Sequence, residues 1–548
     1  MRKLCSSWLP ILLVCLLAAS ADAQSFRVQC PATTTLHPAP PPSTGAIDPL
    51  SGDPLYMGPT TIAATLTPLN GGAQFNLNYV TNGGAIKCQE ISGGDGFMTE
   101  ADGHQTYLFG FGPLSGLGLI QSGQPGTQLA ADFNQRYNQQ YLDLAQIKPD
   151  PTYDPALPDN SNGSIVAPAE MMNIGVLNAN IPAPTMAIDE DDEFFLTLSN
   201  VGMIMRPDLF EQHTVHFHGY PNASSFYDGV PDASIAINIG GSFTYYYLAP
   251  DAGTYFWHCH ITPPEHLQMG MVGQLYVRPR QNRLPLNASL AASWDTQQMD
   301  LRTSCNVNAD ILCATPKPLA NAATQAVAPY AGIDPRIPAG TPSKYAYNDG
   351  DGTTRYDVEL PLQIHGFDPN FHFVGMTFNP EGFADMKDKY FLLNGRSYPD
   401  TVDGSNLKGL NTSYLTTEAS DGVSRPSQPL AASMMLIKGE KALVRISDLD
   451  VTEYQTLASL GIPMQVIALN ARILRDQAGN NLYYQTNSIT LAGGESLDVI
   501  LDTSKVATGT YFLYTPQVDH LSNDAENFGG LMTEIQVCAT ITNGTCNL

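Results

Sequence analysis

Two histidine-rich runs between residues 212 and 277 decide the fold and the chemistry of this chain. The first reads His213-Thr-Val-His216-Phe-His218-Gly219. The second reads Trp257-His258-Cys259-His260-Ile-Thr-Pro-Pro-Glu-His266-Leu-Gln-Met269-Gly-Met271. The chain has 11 histidines in all, and most of them lie in these two runs with one cysteine among them. We therefore take the two runs as the starting point for predicting the site.

Both runs alternate histidine with another residue, and alternate side chains of a β-strand share one face. His216 and His218 are thus predicted to point one way, as are His258 and His260, while Cys259 points to the opposite face. Two adjacent strands would then carry four imidazoles on one face and a thiolate behind them. Two histidines, one cysteine and a weak axial methionine form the blue-copper ligand set. His213, His266 and a methionine complete that set around Cys259, so the sequence predicts a copper site.

Length and composition favour an exported, turn-rich protein of more than one domain. A chain of 548 residues exceeds a single core, and its 47 glycines and 41 prolines favour turns between short strands. The formal net charge of -26 argues against nucleic acid and anionic membranes as partners, because both attract basic patches. The short apolar run after Met1-Arg2-Lys3 is typical of a cleaved secretory signal ending at Ala23. We expect an exported protein, periplasmic or extracellular, without a membrane span.

Cysteine usage agrees with an oxidising compartment. Cys5 and Cys15 leave with the signal, and Cys259 is assigned to the metal. The other six fall into near neighbours, which favours three disulfides. The predicted pairs are Cys30–Cys88, Cys305–Cys313 and Cys538–Cys546.

The strand pattern predicts an all-β protein built from Greek-key β-sandwiches with a β-rich N-terminal extension. Short alternating segments such as 194–198 and 242–248 recur between turn signals in the first half. The second half contains similar segments and no strong helical period. The predicted division is a signal peptide at 1–23, an N-terminal β-rich extension at 24–168, a first domain with the copper site at 169–280, a connecting segment at 281–345, and a second domain without copper ligands at 346–548.

The residues of the first half resemble a known family. The motifs are Pro182-Ala-Pro184, His213-x-x-His-x-His-Gly219, Asp228-Gly-Val-Pro231, Gly241-Ser-Phe-Thr-Tyr245, Gly253-Thr-Tyr-Phe-Trp-His-Cys-His260 and His266-x-x-x-Gly-Met271. They resemble the first cupredoxin domain of multicopper oxidases. A cysteine in this His-Cys-His run looks most like the two-domain bacterial enzymes, a resemblance that implies a homotrimer. Residues 391–401 and 494–499 resemble second-domain strands of the same family, so the resemblance implies two cupredoxin-like β-sandwich domains.

The resemblance implies a role for each histidine of the two runs. His213, Cys259, His266 and Met271 would hold a type 1 copper, with Met269 as a rival axial ligand. His216, His218, His258 and His260 would be half of a trinuclear type 2/type 3 copper cluster. Cys259 would then be catalytic together with His258 and His260, since electrons pass from the thiolate to its chain neighbours.

One departure from the family pattern limits this interpretation. A trinuclear cluster in this family takes eight histidines, four of them as two His-x-His pairs from the second domain. Outside the two runs this chain has no such pair. The remaining histidines of the second half are His365, His372 and His520. We predict the first two to be loop residues with satisfied hydrogen bonds, and His520 to lie nearest a missing pair.

Three functions therefore stay open. The first is a multicopper-oxidase-type oxidoreductase that takes electrons at a type 1 copper and passes them to a histidine-bound copper site, with O2 as acceptor. The second is a type 1 electron-transfer protein without oxidase activity. The third is a type 1/type 2 copper enzyme like nitrite reductase, and a structural or copper-storage role is the outsider. The reductant is a small molecule, a metal ion or a redox protein.

Overall fold

The computed structural model describes most of the chain. The described residues are 27–41, 47–48, 51–56, 61–69, 72–80, 83–100, 102–138, 164–165, 168–219, 224–249, 251–285, 333–375, 382–402, 416–418, 424–476, 479–524 and 526–548. The predicted signal peptide and the predicted Cys305–Cys313 disulfide lie outside the described residues.

The first half of the chain folds into two facing sheets. Its strands are β1 (Arg27–Val28), β2 (Thr61–Leu69), β3 (Gly72–Val80), β4 (Ile86–Thr99), β5 (Gln105–Pro113), β6 (Gln128–Leu129), β7 (Ser164–Ile165), β8 (Met186–Asp189), β9 (Glu193–Gly202), β10 (His216–Phe217), β11 (Ser242–Leu248), β12 (Gly253–His258) and β13 (Val272–Arg278). One sheet has the order β10-β12-β13-β8 and the other the order β11-β9-β4-β5. β2 and β3 form a separate antiparallel hairpin.

The second half also forms two sheets. Its strands are β14 (Lys344–Tyr345), β15 (Arg355–Tyr356), β16 (Val358–Phe367), β17 (Tyr390–Leu393), β18 (Thr416–Glu418), β19 (Ser424–Pro426), β20 (Met434–Ile437), β21 (Lys441–Asp448), β22 (Gln455–Leu460), β23 (Met464–Leu469), β24 (Arg472–Ile473), β25 (Tyr484–Thr486), β26 (Ser488–Leu491), β27 (Ser496–Asp502), β28 (Gly509–Tyr514), β29 (Ser522–Asn523), β30 (Glu526–Asn527), β31 (Met532–Cys538), β32 (Thr540–Thr542) and β33 (Thr545–Asn547). The two sheets have the orders β17-β16-β21-β27-β23-β24 and β20-β31-β28-β22-β26. The prediction of an all-β fold with two cupredoxin-like sandwiches is confirmed.

Helices in the described residues are short and serve as connections. They are α1 (Leu117–Gln121), α2 (Ala130–Asn138), α3 (Pro168–Gly175), α4 (Pro263–Gln268) and α5 (Pro369–Gly375). None of the described helices is long and apolar enough to cross a membrane. Of the predicted disulfides, Cys30–Cys88 and Cys538–Cys546 are present. Cys259 is a free, buried cysteine.

Each sandwich encloses its own apolar core. In the first, side chains from both sheets pack around Trp257 and Cys259, and Phe109 and Phe111 of β5 belong to the same cluster. β4 pairs in parallel with β9, so strands of the predicted extension complete a sheet of the first sandwich. The core of the second sandwich is made of aliphatic residues from strands such as β21, β23 and β27. The predicted domain boundaries themselves stay a prediction.

The two halves meet along β12 through buried polar contacts. The Thr254 hydroxyl donates to Asp498 at 2.6 Å, and the Ser496 hydroxyl donates to the Thr254 carbonyl at 2.6 Å. The Gln274 side-chain amide donates to the Arg445 carbonyl at 3.0 Å. β12 ends at His258, so the second half lies against the strand that leads into the His258-Cys259-His260 run.

Candidate metal centres

Two strands bring the histidine runs together. β10 pairs antiparallel with β12, and His216 lies opposite His258 while Phe217 lies opposite Trp257. Directly opposed residues of an antiparallel pair have side chains on the same face, about 5 Å apart. Trp257 and Phe217 face the core of the sandwich, so His216 and His258 face away from it.

Behind this face, three side chains converge on the Cys259 sulfur and form what we call the sulfur pocket: His213, Cys259 and His266. The His266 Nδ1 atom lies 3.3 Å from Sγ and the His213 Nδ1 atom lies 4.0 Å from it. Metal bonds of roughly 2.0–2.3 Å place neighbouring ligand atoms roughly 3–4 Å apart. All three residues have zero solvent exposure. The geometry and the donor set fit one soft, thiolate-binding metal ion such as copper.

The sulfur pocket is polarised in favour of a thiolate. The Thr214 amide donates to Sγ at 3.4 Å. Burial lowers the pKa of His266, but the charges of Cys259 and Glu211 outweigh it and raise that pKa to about 9. Burial and the charge of His266 hold the pKa of His213 well below its usual range. Without a bound metal, the His266 imidazole is thus charged at neutral pH and the His213 imidazole is neutral.

Both methionines named as axial ligands lie at the sulfur pocket. Met269 and Met271 are fully buried and pack in the same apolar cluster as Cys259. The backbone of Met271 is tied to two of the ligand residues, since its amide donates to the His266 carbonyl at 2.9 Å and its carbonyl accepts from the Cys259 amide at 3.1 Å. The Met269 amide instead donates to Glu265. These ties favour Met271.

On the other face, three imidazoles form what we call the histidine cluster: His216, His218 and His258. The Nδ1 atom of each faces a backbone carbonyl. His258 Nδ1 lies 2.7 Å from the Cys259 carbonyl, and His216 Nδ1 lies 2.7 Å from that of Asp228. The third, His218 Nδ1, lies 3.3 Å from the Gly494 carbonyl. A carbonyl accepts only from a protonated nitrogen, so this arrangement favours the tautomer whose Nε2 lone pair is free.

The Nε2 lone pairs of these rings face each other, an arrangement that favours a cation bound between them. The Nε2 atoms of His218 and His258 are 3.0 Å apart. Burial and the charge of His216 lower the pKa of His218 to about 4, and burial holds the pKa of His258 well below its usual range. Two neutral rings whose Nδ1 protons are engaged by carbonyls repel each other through these lone pairs. A metal ion bound by the three Nε2 atoms removes that repulsion.

His260 stands beside this cluster without completing it. Its ring centre lies 5.1 Å from that of His216 and 5.4 Å from that of His258. Its amide donates to the Thr214 hydroxyl at 2.9 Å, which ties it to the first histidine run. The structure therefore brings His216, His218 and His258 together around one point, with His260 at the edge.

The three leftover histidines are engaged elsewhere. His365 and His372, predicted as loop residues, lie instead in β16 and α5, because apolar neighbours draw both segments into the core. His372 lies between the carbonyls of Tyr107 and Gln268, at 2.6 and 2.9 Å. His365 Nδ1 lies 3.2 Å from the Leu449 carbonyl.

His520 contacts Gln455 and Glu453 through its two nitrogens. Its ring stacks on Phe391. Neither nitrogen is therefore left for a metal ion.

The second half contributes backbone to the histidine cluster. Gly494 has a left-handed backbone with φ of +88°, and a Cβ added there would lie 2.8 Å from the His218 ring. Beside it, Leu449 packs on Phe256 and Val272 in a small apolar cluster. Only glycine both adopts this backbone conformation readily and leaves room for the ring.

Comparison with known proteins finds one family over the part of the chain that carries the predicted ligands. A family model described as multicopper oxidase matches residues 161–282, which include every predicted copper ligand. Over this segment the chain is similar to multicopper oxidases. The cofactor of the family is copper, which the ligand sets of both sites fit.

Individual relatives match the same part of the chain. Multicopper oxidase MCE from Talaromyces pinophilus is 33% identical over 108 residues, or 19% of this chain and 16% of that protein. Laccase abr2 from Aspergillus fumigatus is 32% identical over 109 residues, or 20% of this chain and 17% of that protein. The chain thus spans about a sixth of the length of these curated relatives. The solved structure of Blue Copper Oxidase from Nitrosomonas europaea superposes with a TM-score of 0.46 at 16% identity, covering 83% of this chain and 86% of that one.

Several residues at the copper sites have no signal in the sequence analysis. Thr214 lies between the predicted ligands His213 and His216, so its position near the site could be predicted from the sequence. The hydrogen bond from its amide to Cys259 Sγ could not. The Glu211 carboxylate lies 3.4 Å from His266 Nε2. Asp228 and Gly494 act through backbone carbonyls, which any residue carries, and nothing in their side chains marks them.

Proposed function

We propose that this protein is an exported copper-dependent oxidoreductase with two copper centres in its multicopper oxidase domain. The first is a type 1 centre held by His213, Cys259 and His266, with Met271 as axial ligand. The sulfur pocket supports it because two imidazole Nδ1 atoms and one amide surround a fully buried thiol. Bound copper supplies one-electron redox chemistry.

The second centre is held by the histidine cluster, and one observation carries this assignment. Three imidazoles present free Nε2 atoms to one point, with two of those atoms 3.0 Å apart. That favours one copper ion and so a type 2 centre, rather than the three coppers of a complete cluster. The described histidines of the second half do not complete it, since His365, His372 and His520 are bonded elsewhere. His260 is a further ligand at its edge.

Cys259 connects the two centres. His258 precedes it directly, and the Cys259 carbonyl accepts a hydrogen bond from His258 Nδ1 at 2.7 Å. An electron delivered to the sulfur therefore reaches the His258 ring through a few covalent bonds and one short hydrogen bond. His260, on the other side of Cys259, offers a second covalent route. These residues carry electrons from the type 1 centre to the second centre.

The position of Glu211 supports delivery of electrons by a small-molecule or metal-ion reductant, or a redox protein, near His266. The Glu211 carboxylate is a quarter exposed and contacts the outer nitrogen of that ring. The acceptor is dioxygen or, with a mononuclear second centre, a small oxyanion such as nitrite. Two disulfides support action in an oxidising compartment outside the cytoplasm. The homotrimer of the two-domain enzymes stays part of this proposal.

Turnover assays of the copper-loaded full chain test the proposal. We expect oxygen uptake or nitrite reduction with hydroquinone or Fe(II) as reductant, and loss of either activity in Cys259→Ser. His216→Ala should keep the blue colour and lose turnover. A parent protein that is blue but reduces neither acceptor would contradict the enzyme and favour an electron carrier.

A further inference from the structure

A cavity in the second half of the chain lies at the β14–β15 ribbon, which contains no predicted copper ligand. Its volume is about 450 Å³, within the range of pockets that hold small organic molecules. Residues 336–344 form one wall, and residues 355–357 of β15 and the position after it form the other. Lys344 and Tyr356 pair across the ribbon, so its register fixes both walls.

Three cationic side chains line this cavity although the chain has 52 acidic and only 26 basic residues. Two of them have carboxylate partners. Arg336 is paired with Asp334, and Arg355 contacts Asp357 at 2.6 Å. Asp357 is the one acidic residue of the lining. The lining thus carries a net positive charge in an acidic protein.

Lys344 is the exception among the three. Among the described residues its ammonium group has no hydrogen bond and no carboxylate within ion-pair distance. Burial lowers its pKa, and Arg278 lowers it further, while the more distant Glu359, Asp48 and Asp189 act in the opposite direction. A partly buried ammonium group loses part of its hydration, and without a close partner no hydrogen bond or ion pair offsets that free-energy cost. An anion in the cavity would supply the missing partner.

Apart from Thr341 and Ser343, the uncharged part of the lining is largely apolar. Ile337, Pro338, Ala339 and Pro342 come from one wall, and the ring of Tyr356 comes from the other. An inorganic anion would leave these side chains without contacts. A carboxylate attached to an apolar ring or short chain would use both the charge and the walls.

We propose that this cavity binds a small organic carboxylate whose charged end contacts Lys344 and whose apolar body lies between residues 337–342 and Tyr356. The site is independent of the copper chemistry, because neither its residues nor their partners belong to the two metal centres. Arg355 and Arg336 attract the anion into the mouth of the cavity.

Calorimetric titration of the copper-loaded full chain with benzoate tests the proposal, with benzamide as its neutral analogue. We expect benzoate to bind with millimolar or better affinity and benzamide at least about tenfold more weakly, as for loss of a charge-assisted hydrogen bond. Lys344→Met should weaken benzoate at least about tenfold. The matched control, Lys389→Met, removes an exposed lysine that does not line the cavity and should leave the affinity unchanged.

Pro342→Glu gives a second variant at an exposed position, which adds a negative charge at the rim without touching the buried lysine. It should also weaken benzoate while copper content and visible absorption stay at the parent level. Absence of benzoate binding to the parent, equal binding of benzamide, or unchanged affinity in both Lys344→Met and Pro342→Glu would overturn the proposal.

Discussion

The sulfur pocket and the histidine cluster begin at neighbouring residues, Cys259 and His258, yet they are supported in opposite ways. The three residues of the sulfur pocket have zero solvent exposure, and the groups that contact the Cys259 sulfur, namely Thr214, His213 and His266, belong to the first half. The histidine cluster is partly exposed, and one of its three rings is oriented by Gly494 of the second half. One strand thus supplies two metal centres with different degrees of independence.

The second half can therefore influence metal binding at the histidine cluster without donating a ligand. It holds the rotation and tautomer of His218 through a backbone carbonyl, and it lies against β12 through Thr254 and Asp498. The sulfur pocket should therefore tolerate a change at Gly494, whereas the histidine cluster should not. The predictions below test that separation.

The largest effect is expected from Cys259→Ser. Because the thiolate gives the type 1 centre its intense visible absorption, this variant should lose that absorption completely. The histidine cluster does not use the sulfur, so copper bound there and its resonance signal should persist. Optical and paramagnetic resonance spectra measure both, and surviving blue absorption would refute the type 1 assignment.

Gly494→Ala should affect only the second centre. The added methyl group would lie 2.8 Å from the His218 ring, and loss of such an orienting contact typically costs about 10- to 100-fold in metal affinity. Gly439→Ala is the matched control, since Gly439 also has a positive φ, +102°, but no atom within 4 Å of the added Cβ. Competition with a copper chelator measures the affinity. Equal losses in both variants would mean that backbone strain, not contact with His218, is responsible.

A smaller effect is expected from Glu211→Gln at the sulfur pocket. Removing the carboxylate 3.4 Å from His266 Nε2 favours the reduced, less positive metal. The reduction potential of the type 1 centre should therefore rise by a few tens of millivolts, where about 59 mV is a tenfold change for one electron. Spectroscopic redox titration measures it. An unchanged or lowered potential would show that Glu211 does not act on the centre.

The smallest expected effect is a pH dependence of the copper-free protein. The pKa of His218 is lowered to about 4 in the folded chain, so the unfolded chain binds more protons between about pH 4 and 6.5. Stability from the neutral ring is present above about pH 6.5 and is lost as pH falls towards 4. His218→Gln should reduce the loss between pH 7 and 5 by about 1 kcal/mol, allowing for solvent screening.

Urea unfolding of both copper-free proteins at the two pH values gives the difference. A loss of the same size in the parent and in His218→Gln would contradict the assignment of a neutral ring.

The strands that carry the ligands could be predicted from local sequence patterns. Contacts between residues far apart in the chain could not. Alternation placed His258 and Cys259 on opposite faces, and the structure shows them in separate ligand groups. Gly494 lies 276 residues from His218, and no local pattern reports such a contact. The prediction that His365 and His372 lie in loops was wrong for the same reason. Both residues lie in regular structure that packs against the first half, and no local pattern reports that packing.

The most direct test of two unlike centres is the copper content of the purified, copper-loaded full chain, measured with its paramagnetic resonance spectrum. We expect two copper ions per chain and two signals, one of type 1 and one of type 2. One copper with a type 1 signal alone would contradict the second centre. Close to four coppers would contradict its mononuclear character and require ligands from another chain.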